Sequence, residues 1–230
     1  MKILAIDTAT EACSAALYID GVITEEYQLA PRDHTKLILK MVESLLEQAE
    51  LKLTDLDALA FGRGPGSFTG VRISTGVIQG LAFASDLPVL PVSTLAALAQ
   101  LAYDNHGYKA VLSGIDARMG EIYWGNYQLG ENALMALTGD EKVSPAQNIK
   151  LPVDVSHKCC GAGSAWKSYS RELNETLGDQ INDTYADYLP RASSITKLAV
   201  EAFNQGLAVK AAEALPVYLR NDVARKKADQ

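Results

Sequence analysis

The run Ile3-Leu4-Ala5-Ile6-Asp7, an apolar segment that ends in an acid, is the stretch that indicates the fold most directly. Short apolar runs of this kind are typical of buried strands. Residues 14–18 and 22–27 predict a second and a third strand, joined by the hairpin signal Asp20-Gly21.

The same pattern recurs in the second half of the chain. Residues 109–116 form another apolar run that ends in Ile115-Asp116, and Asp116 follows Asp7 by 109 residues. Two more strands are predicted after it, at 121–127 and 134–138. Self-similarity at half the chain length indicates a duplicated domain.

Helices alternate with these strands. They are predicted at 34–49, at 68–84, from 94 onward, at 166–177 and at 193–204, with further strands at 56–61 and 88–92. Strands grouped with crossing helices indicate an α/β fold built in layers. We predict an N-terminal lobe at 1–106 and a C-terminal lobe at 107–230.

The composition indicates a globular protein that folds without a disulfide or a metal. Of its 230 residues 48% are apolar, enough to bury about 70% of the unfolded surface. The formal net charge of −7 disfavours capture of nucleic acid by this chain itself, because phosphate attraction requires a positive face. No run approaches the roughly 20 apolar residues of a membrane helix, and no signal-peptide core is present. We expect a cytoplasmic protein with no membrane contact.

Cysteine and histidine spacings do not support a metal site. Cys13, Cys159 and Cys160 form no Cys-x-x-Cys pair, which fits a reducing compartment and small buried side chains. The three histidines, His34, His106 and His157, have no ligand spacing. We therefore expect no bound metal.

A glycine-rich turn, residues 62–66, lies between a predicted strand and a predicted helix. That order aims backbone N–H groups at an anion. The turn has neither the lysine of a P-loop nor the spacing of a dinucleotide-binding motif. The alternative is a tight turn in which glycines allow positive φ and Ser67 or Thr69 caps the helix.

Two acids, Asp7 and Asp116, end the first strand of each half. Carboxylates at opposing strand ends can flank a cleft, hold magnesium or activate water. Alternatively, each one caps local backbone N–H groups.

Small residues recur every four positions in the helix after the glycine turn, at Gly76, Gly80 and Ala84. An interior glycine costs a helix roughly 1 kcal/mol relative to alanine, so the stripe requires a reason. Either it packs closely on the protein's own sheet, or a helix from another chain lies against it.

Four segments of this sequence resemble the TsaB (YeaZ) family, most closely its gamma-proteobacterial members. They are residues 3–10, 62–72, 115–123 and 216–221, and the segment Gly-Pro-Gly-Ser-Phe-Thr-Gly within the second is highly specific. The resemblance spans nearly the whole chain. It implies an actin-like ATPase-domain (ribonuclease H-like) fold with two duplicated lobes, in agreement with the internal repeat.

The resemblance also implies a role in making threonylcarbamoyladenosine (t6A) in tRNA. In that pathway the paralogue TsaD transfers the threonylcarbamoyl group, TsaB binds TsaD as a required subunit, and the ATPase TsaE joins them. The complex uses ATP/ADP and magnesium, so we expect no cofactor bound tightly by this chain and contact with tRNA only through the complex. When TsaD is absent, the same surface is expected to close a two-fold homodimer.

TsaD-like proteins hold a catalytic metal with a His-x-x-x-His motif just after the strand that follows the glycine-turn helix. The corresponding positions here are Thr94 and Leu98. Leucine has no ligand atom, and one hydroxyl does not replace two imidazoles. We predict a non-catalytic subunit without catalytic residues.

In this family the first two helices contact TsaD, here at about 34–50 and 68–84. The predicted interface residues are Leu37, Ile38, Met41, Val42, Leu45, Val71, Ile73, Gly76, Val77, Gly80 and Ala84. Contacts with a nucleotide or with the junction of the complex are predicted for Asp7, Gly64, Gly66, Ser67, Asp116, Arg118 and Glu121.

Two other functional classes are kept beside this one. A nucleotide-dependent phosphotransferase or ATPase of the actin-like superfamily would use Asp7, Asp116 and the glycine turn. An independent tRNA-binding module fits poorly with the net charge of −7. The basic residues of the tail, Arg220, Arg225, Lys226 and Lys227, are predicted to be a solvated end rather than an RNA contact.

Overall fold

The computed structural model describes residues 1–152 and 158–220, which form two five-stranded sheets with helices between and around them. The strands of the first sheet are β1 (Lys2–Asp7), β2 (Ala12–Ile19), β3 (Val22–Leu29), β4 (Ala58–Gly62) and β5 (Val89–Val92). Their order is β3-β2-β1-β4-β5. The first three strands are antiparallel, whereas β4 and β5 run parallel to β1.

The second sheet repeats the first. Its strands are β6 (Ala110–Arg118), β7 (Glu121–Leu129), β8 (Met135–Ser144), β9 (Cys159–Ala162) and β10 (Ile181–Tyr185). Their order is β10-β9-β6-β7-β8, with β6 in the place of β1. The antiparallel meander followed by two parallel strands therefore occurs twice, and this confirms the predicted actin-like, ribonuclease H-like α/β fold with two duplicated lobes.

Six helices accompany the sheets in the described part of the chain. They are α1 (His34–Gln48), α2 (Phe68–Ser85), α3 (Thr94–His106), α4 (Ala165–Ser168), α5 (Ser170–Leu177) and α6 (Ala192–Asn204). The single helix predicted at 166–177 is broken at Tyr169 into α4 and α5. None of the helices in the two described ranges is long and apolar enough to cross a lipid bilayer.

The apolar content of β1 is explained by its position in the middle of the first sheet. Every residue from Ile3 to Asp7 is buried. One face packs under α1 and α2, and the other packs under α6. Helix α6 comes from the second half of the sequence but packs on the first sheet, and the division into 1–106 and 107–230 stays a prediction.

Side chains cap the N-termini of two helices, α2 and α3. Ser93 Oγ accepts from the backbone N–H groups of Leu95 and Ala96 at the start of α3. Ser67 Oγ accepts from Gly70 N at the start of α2, as the alternative interpretation of the glycine turn predicts. Asp33 occupies the cap position of α1, but its carboxylate binds Lys36 Nζ at 2.7 Å instead of the backbone.

The three cysteines are buried in the core. Burial raises the pKa of the Cys13 thiol to about 12 and that of Cys159 to about 11. Thiols with such values stay protonated, and they act as small apolar side chains, as the sequence predicts.

Candidate functional site

A cleft of about 790 Å³ lies between the two sheets, at the ends of β1 and β6 and at the start of α2. Of the seven residues predicted to contact a nucleotide or the complex junction, four line this cleft: Gly66, Ser67, Asp116 and Arg118. The described residues that line the cleft do not include Asp7, Gly64 or Glu121.

The glycine turn is packed directly against the turn that follows β1. Ser67 N donates to the Ala9 carbonyl at 2.7 Å, and Thr8 Oγ1 donates to the Gly70 carbonyl at 2.7 Å. A Cβ on Gly66 would overlap the Ala9 carbonyl oxygen, and one on Gly70 would overlap that of Thr8. These two positions require glycine because backbone meets backbone. The Ser67 N–H is therefore occupied within the chain, which supports the tight-turn interpretation.

Asp7 lies beneath the cleft, fully buried at the end of β1. Its Oδ1 accepts from Ala9 N at 3.1 Å, whereas Oδ2 has no hydrogen-bond partner among the described residues. The Oδ2 atom lies against the Cα of Gly62, where a Cβ would overlap it. Burial raises the pKa of the carboxyl to about 7, because removal from water disfavours the charged form. Asp7 and Asp116 thus do not flank the cleft as a pair.

Asp116 lies in the cleft wall, and its carboxylate is fully engaged. It accepts from the Arg118 backbone N–H at 2.8 Å and from the Arg118 guanidinium at 3.0 Å. Tyr169 Oη and Ser168 Oγ donate to it at 3.0 and 3.1 Å. Four donors satisfy a carboxylate. One of them, Arg118 N, is the local backbone cap of the alternative interpretation, whereas the Ser168 and Tyr169 hydroxyls come from distant parts of the chain.

Glu121 and Arg220 tie the terminal segment to the turn between β6 and β7. The two side chains form an ion pair, and Arg220 also donates to the Arg118 carbonyl at 3.3 Å. Arg220 is therefore not part of a solvated end, which corrects that prediction for this residue. The other basic residues of the tail, Arg225, Lys226 and Lys227, lie outside the described residues.

The stripe of small residues on α2 faces away from the protein. Gly76, Gly80 and Ala84 are exposed, and a Cβ added to either glycine would meet no atom of residues 1–152 or 158–220 within 4 Å. Close packing on the protein's own sheet is thus excluded at both glycines. Phe83 lies beside them with 86% of its surface exposed.

Part of the predicted interface is buried inside the chain. The five residues whose side chains belong to the first lobe's own core are Ile38, Met41, Val42, Leu45 and Val71. The prediction is corrected for these five, because an apolar helical face points by default toward the sheet beneath it. Leu37, Ile73 and Val77 are half-buried against the same core.

Sequence reasoning did not select two exposed apolar side chains of these helices, one on α1 and one on α2. Leu39 on α1 is 51% exposed and Phe83 on α2 is 86% exposed. Both are out of phase with the buried face of their own helix. That phase difference was the available signal, since contiguous exposed apolar surface marks interaction sites.

Comparisons with known proteins identify the family of this chain. A family model described as TsaD, tRNA N6-adenosine threonylcarbamoyltransferase, matches residues 3–228. The tRNA threonylcarbamoyladenosine biosynthesis protein TsaB of Escherichia coli K12 is 44% identical over 228 residues, which cover 99% of this chain and 98% of that protein. The chain belongs to the TsaB (YeaZ) family. The TsaB protein of Haemophilus influenzae is 41% identical over 99% of this chain and 97% of its own length.

A solved structure from the TsaB (YeaZ) family shares the fold. YeaZ from Pseudomonas aeruginosa superposes with a TM-score of 0.89 at 46% identity, over 95% of this chain and 99% of that one. The two lobes described above are therefore also found in a solved relative.

Thr94 and Leu98, which are predicted to correspond to the metal ligands of TsaD-like proteins, are buried in this member of the TsaB family. Thr94 Oγ1 donates to the Pro65 carbonyl, and Leu98 packs in the core of the second lobe. Within residues 1–152 and 158–220, no group of three or more histidine, cysteine or acidic side chains is arranged to hold a metal ion.

Proposed function

We propose that this chain is a non-catalytic subunit of the system that forms t6A in tRNA, which binds the TsaD transferase and works with TsaE. Relatives named as tRNA threonylcarbamoyladenosine biosynthesis proteins support the role in t6A formation. The observation that carries the subunit role is the outward-facing stripe of α2. We call the exposed residues Gly76, Gly80, Phe83 and Ala84 the α2 face.

The α2 face fits a partner helix better than it fits solvent. Each of its two glycines costs the isolated helix about 1 kcal/mol relative to alanine, and no contact among the described residues requires either of them. Small residues allow another backbone to approach closely, and the neighbouring Phe83 ring offers apolar area to bury. Without TsaD, two copies of this chain would pair through the same face by a two-fold contact.

The cleft supports a non-catalytic role for this chain. Asp116 has all its acceptor positions filled, Asp7 is covered by Gly62, and Thr94 and Leu98 offer no imidazole. We propose that ATP or ADP and magnesium serve the complex and are not held tightly by this chain. The alternative of an independent phosphotransferase or ATPase would require one of these acids to be free in the cleft.

Co-purification with TsaD tests the proposal. Gly80→Leu places a branched side chain at the centre of the α2 face, where the monomer has open space, so the variant is expected to fold and to lose TsaD. Asn174→Leu is the matched control, because it adds the same side chain at an exposed helical position of the other lobe. If Gly80→Leu retains TsaD in the same ratio as the control, the interface assignment is wrong.

This role places the chain in the cytosol, together with tRNA and its modifying enzymes. Contact with tRNA then occurs within the complex. This chain has a net charge of −7, so the partners provide most of the positive charge that attracts the tRNA phosphates.

A further inference from the structure

The second lobe carries a cluster of aromatic rings that is separate from the residues lining the cleft and from the α2 face. His106 is the last residue of α3, Tyr185 is the last residue of β10, and Tyr188 lies in the loop that follows. His106 Nε2 and Tyr188 Oη are hydrogen-bonded at 2.7 Å. Asn105 Nδ2 also donates to Tyr188 Oη, at 3.0 Å, so the position of the Tyr188 ring is held from two sides.

The three rings are stacked in two layers: His106 and Tyr188 form a flat platform, and Tyr185 lies beneath both. The His106 ring lies parallel to Tyr185 at 4.0 Å between centroids, and Tyr188 stacks on Tyr185 at 5.1 Å. The His106 and Tyr188 centroids are only 6.0 Å apart, with 21° between their planes. Rings stacked on opposite faces of Tyr185 would be at least about 7 Å apart, twice the closest carbon–carbon contact of about 3.5 Å. His106 and Tyr188 therefore lie side by side on one face of Tyr185, joined edge to edge by their hydrogen bond.

This platform lies at the surface. His106 is exposed, and Tyr185 and Tyr188 are half-buried. Two rings inclined by only 21° and joined by a hydrogen bond present an area similar to that of a purine. Flat aromatic surfaces of this kind are where proteins stack the unpaired bases of single-stranded nucleic acid.

Two cations stand beside the platform. Lys109 and Lys158 line a surface cavity of about 400 Å³ together with His106 and Tyr108. Both lysines are exposed, and neither forms an ion pair with any residue in the described ranges.

Two acids of this region are paired with other lysines: Asp104 binds Lys197 Nζ at 2.8 Å, and Asp187 binds Lys167 Nζ at 3.1 Å. Asp183 accepts from the Tyr108 hydroxyl, a neutral donor that does not cancel the charge of a carboxylate. Among the described residues, the two lysines outnumber this one carboxylate and leave a local positive charge beside the rings, although the whole chain carries −7.

We propose that this platform binds one unpaired base of a single-stranded RNA segment, with Lys109 and Lys158 on the adjoining phosphates. The proposal deepens the proposed function, on which it rests for the identity of the RNA as tRNA. Single-stranded RNA is favoured over a phosphorylated peptide because it uses both the rings and the lysines. A peptide phosphate would use the lysines alone.

Fluorescence anisotropy of the full chain with a short, labelled single-stranded RNA tests the proposal. Replacing both His106 and Tyr188 with alanine is expected to weaken binding by about five- to a hundredfold, the loss typical of one stacked base. Replacing Lys109 and Lys158 with alanine should reduce the slope of log affinity against log salt by about 1.4, at about 0.7 per phosphate contact. Lys52→Ala with Lys210→Ala is the matched control, since both lysines are exposed and unpaired within the described chain.

A second readout needs no variant. A 2-aminopurine in the oligonucleotide loses fluorescence when it stacks, so addition of the wild-type chain is expected to quench it. The proposal is overturned by absent quenching, by equal affinity for an RNA duplex, by equal competition from tripolyphosphate, or by a loss of affinity no larger than that of the control. None of these results alters co-purification with TsaD, so the two proposals fail independently.

Discussion

Replacing Asp7 with asparagine tests whether this carboxyl is a buried structural group or a functional acid. In the folded chain its pKa is raised from the ordinary 3.8 to about 7 by burial. A raised pKa means that the folded state holds the proton more tightly than the unfolded state does. The free energy of unfolding therefore falls as the pH rises from about 4 to about 7, and this contribution is constant above that.

The size of the effect follows from that shift. Each pKa unit corresponds to 1.36 kcal/mol, so the buried charge costs the folded state about 4 kcal/mol at pH 8. The asparagine side chain would keep the acceptor for Ala9 N and would place an uncharged amide where Oδ2 has no partner. The free energy of unfolding of the variant is expected to match that of the wild type near pH 4 and to exceed it by a few kcal/mol at pH 8. The unpaired amide hydrogens of asparagine reduce this gain.

Urea unfolding of both proteins, measured from pH 4 to pH 8, gives the comparison. The reasoning would be refuted if the free energy of unfolding of the wild type and that of Asp7→Asn changed in parallel with pH over this range. Repeating the series with magnesium distinguishes the enzymatic alternative. If magnesium restores the wild-type stability at pH 8 and leaves the variant unchanged, then Asp7 is a metal ligand and not a structural acid.

The glycines and the cleft give three more predictions. Gly80→Ala is expected to raise the free energy of unfolding by up to about 1 kcal/mol in urea, because its Cβ meets open space; a loss of stability would contradict this. Gly66→Ala should lower it by about 1–3 kcal/mol, since its Cβ overlaps the Ala9 carbonyl, and a neutral result would show that the two turns separate freely. Calorimetry of the isolated chain with millimolar ATP and magnesium should give no binding heat, and a clear isotherm would favour the enzyme.

The fold could be predicted from the sequence because its signals are local. The run that ends in Asp7 and the run that ends in Asp116 each occupy the central strand of a sheet, and burial on both faces requires a nearly continuous apolar segment. Helix α2 begins at the predicted Phe68 because Ser67 caps it and the preceding glycines permit the turn.

The candidate site could be predicted only in part, because its contacts join distant residues. Two residues that donate to the Asp116 carboxylate are Ser168 and Tyr169, which lie 52 and 53 residues away from it along the chain. The bond between His106 and Tyr188 spans 82 residues. No spacing rule connects such pairs before the strands and helices are placed.

The predicted TsaD interface included buried residues of α1 because the sequence does not show what covers an apolar helical face. Apolar residues at helical spacing indicate a buried face without showing which surface covers it. On α1 the covering surface is the chain's own sheet, so Ile38 and Leu45 are occupied within the monomer. The glycines of α2 are a better signal of an interface. They lower the stability of the helix, and no contact among the described residues requires them.

Reconstitution of the reaction tests the central claim most directly. Purified TsaD and TsaE are mixed with tRNA, threonylcarbamoyl-adenylate, ATP and magnesium, with and without this chain, and t6A is measured by mass spectrometry of the digested nucleosides. We predict that t6A forms only when this chain and TsaD are both present. Formation of t6A by this chain without TsaD, or by TsaD and TsaE without this chain, would contradict its assignment as a required, non-catalytic subunit.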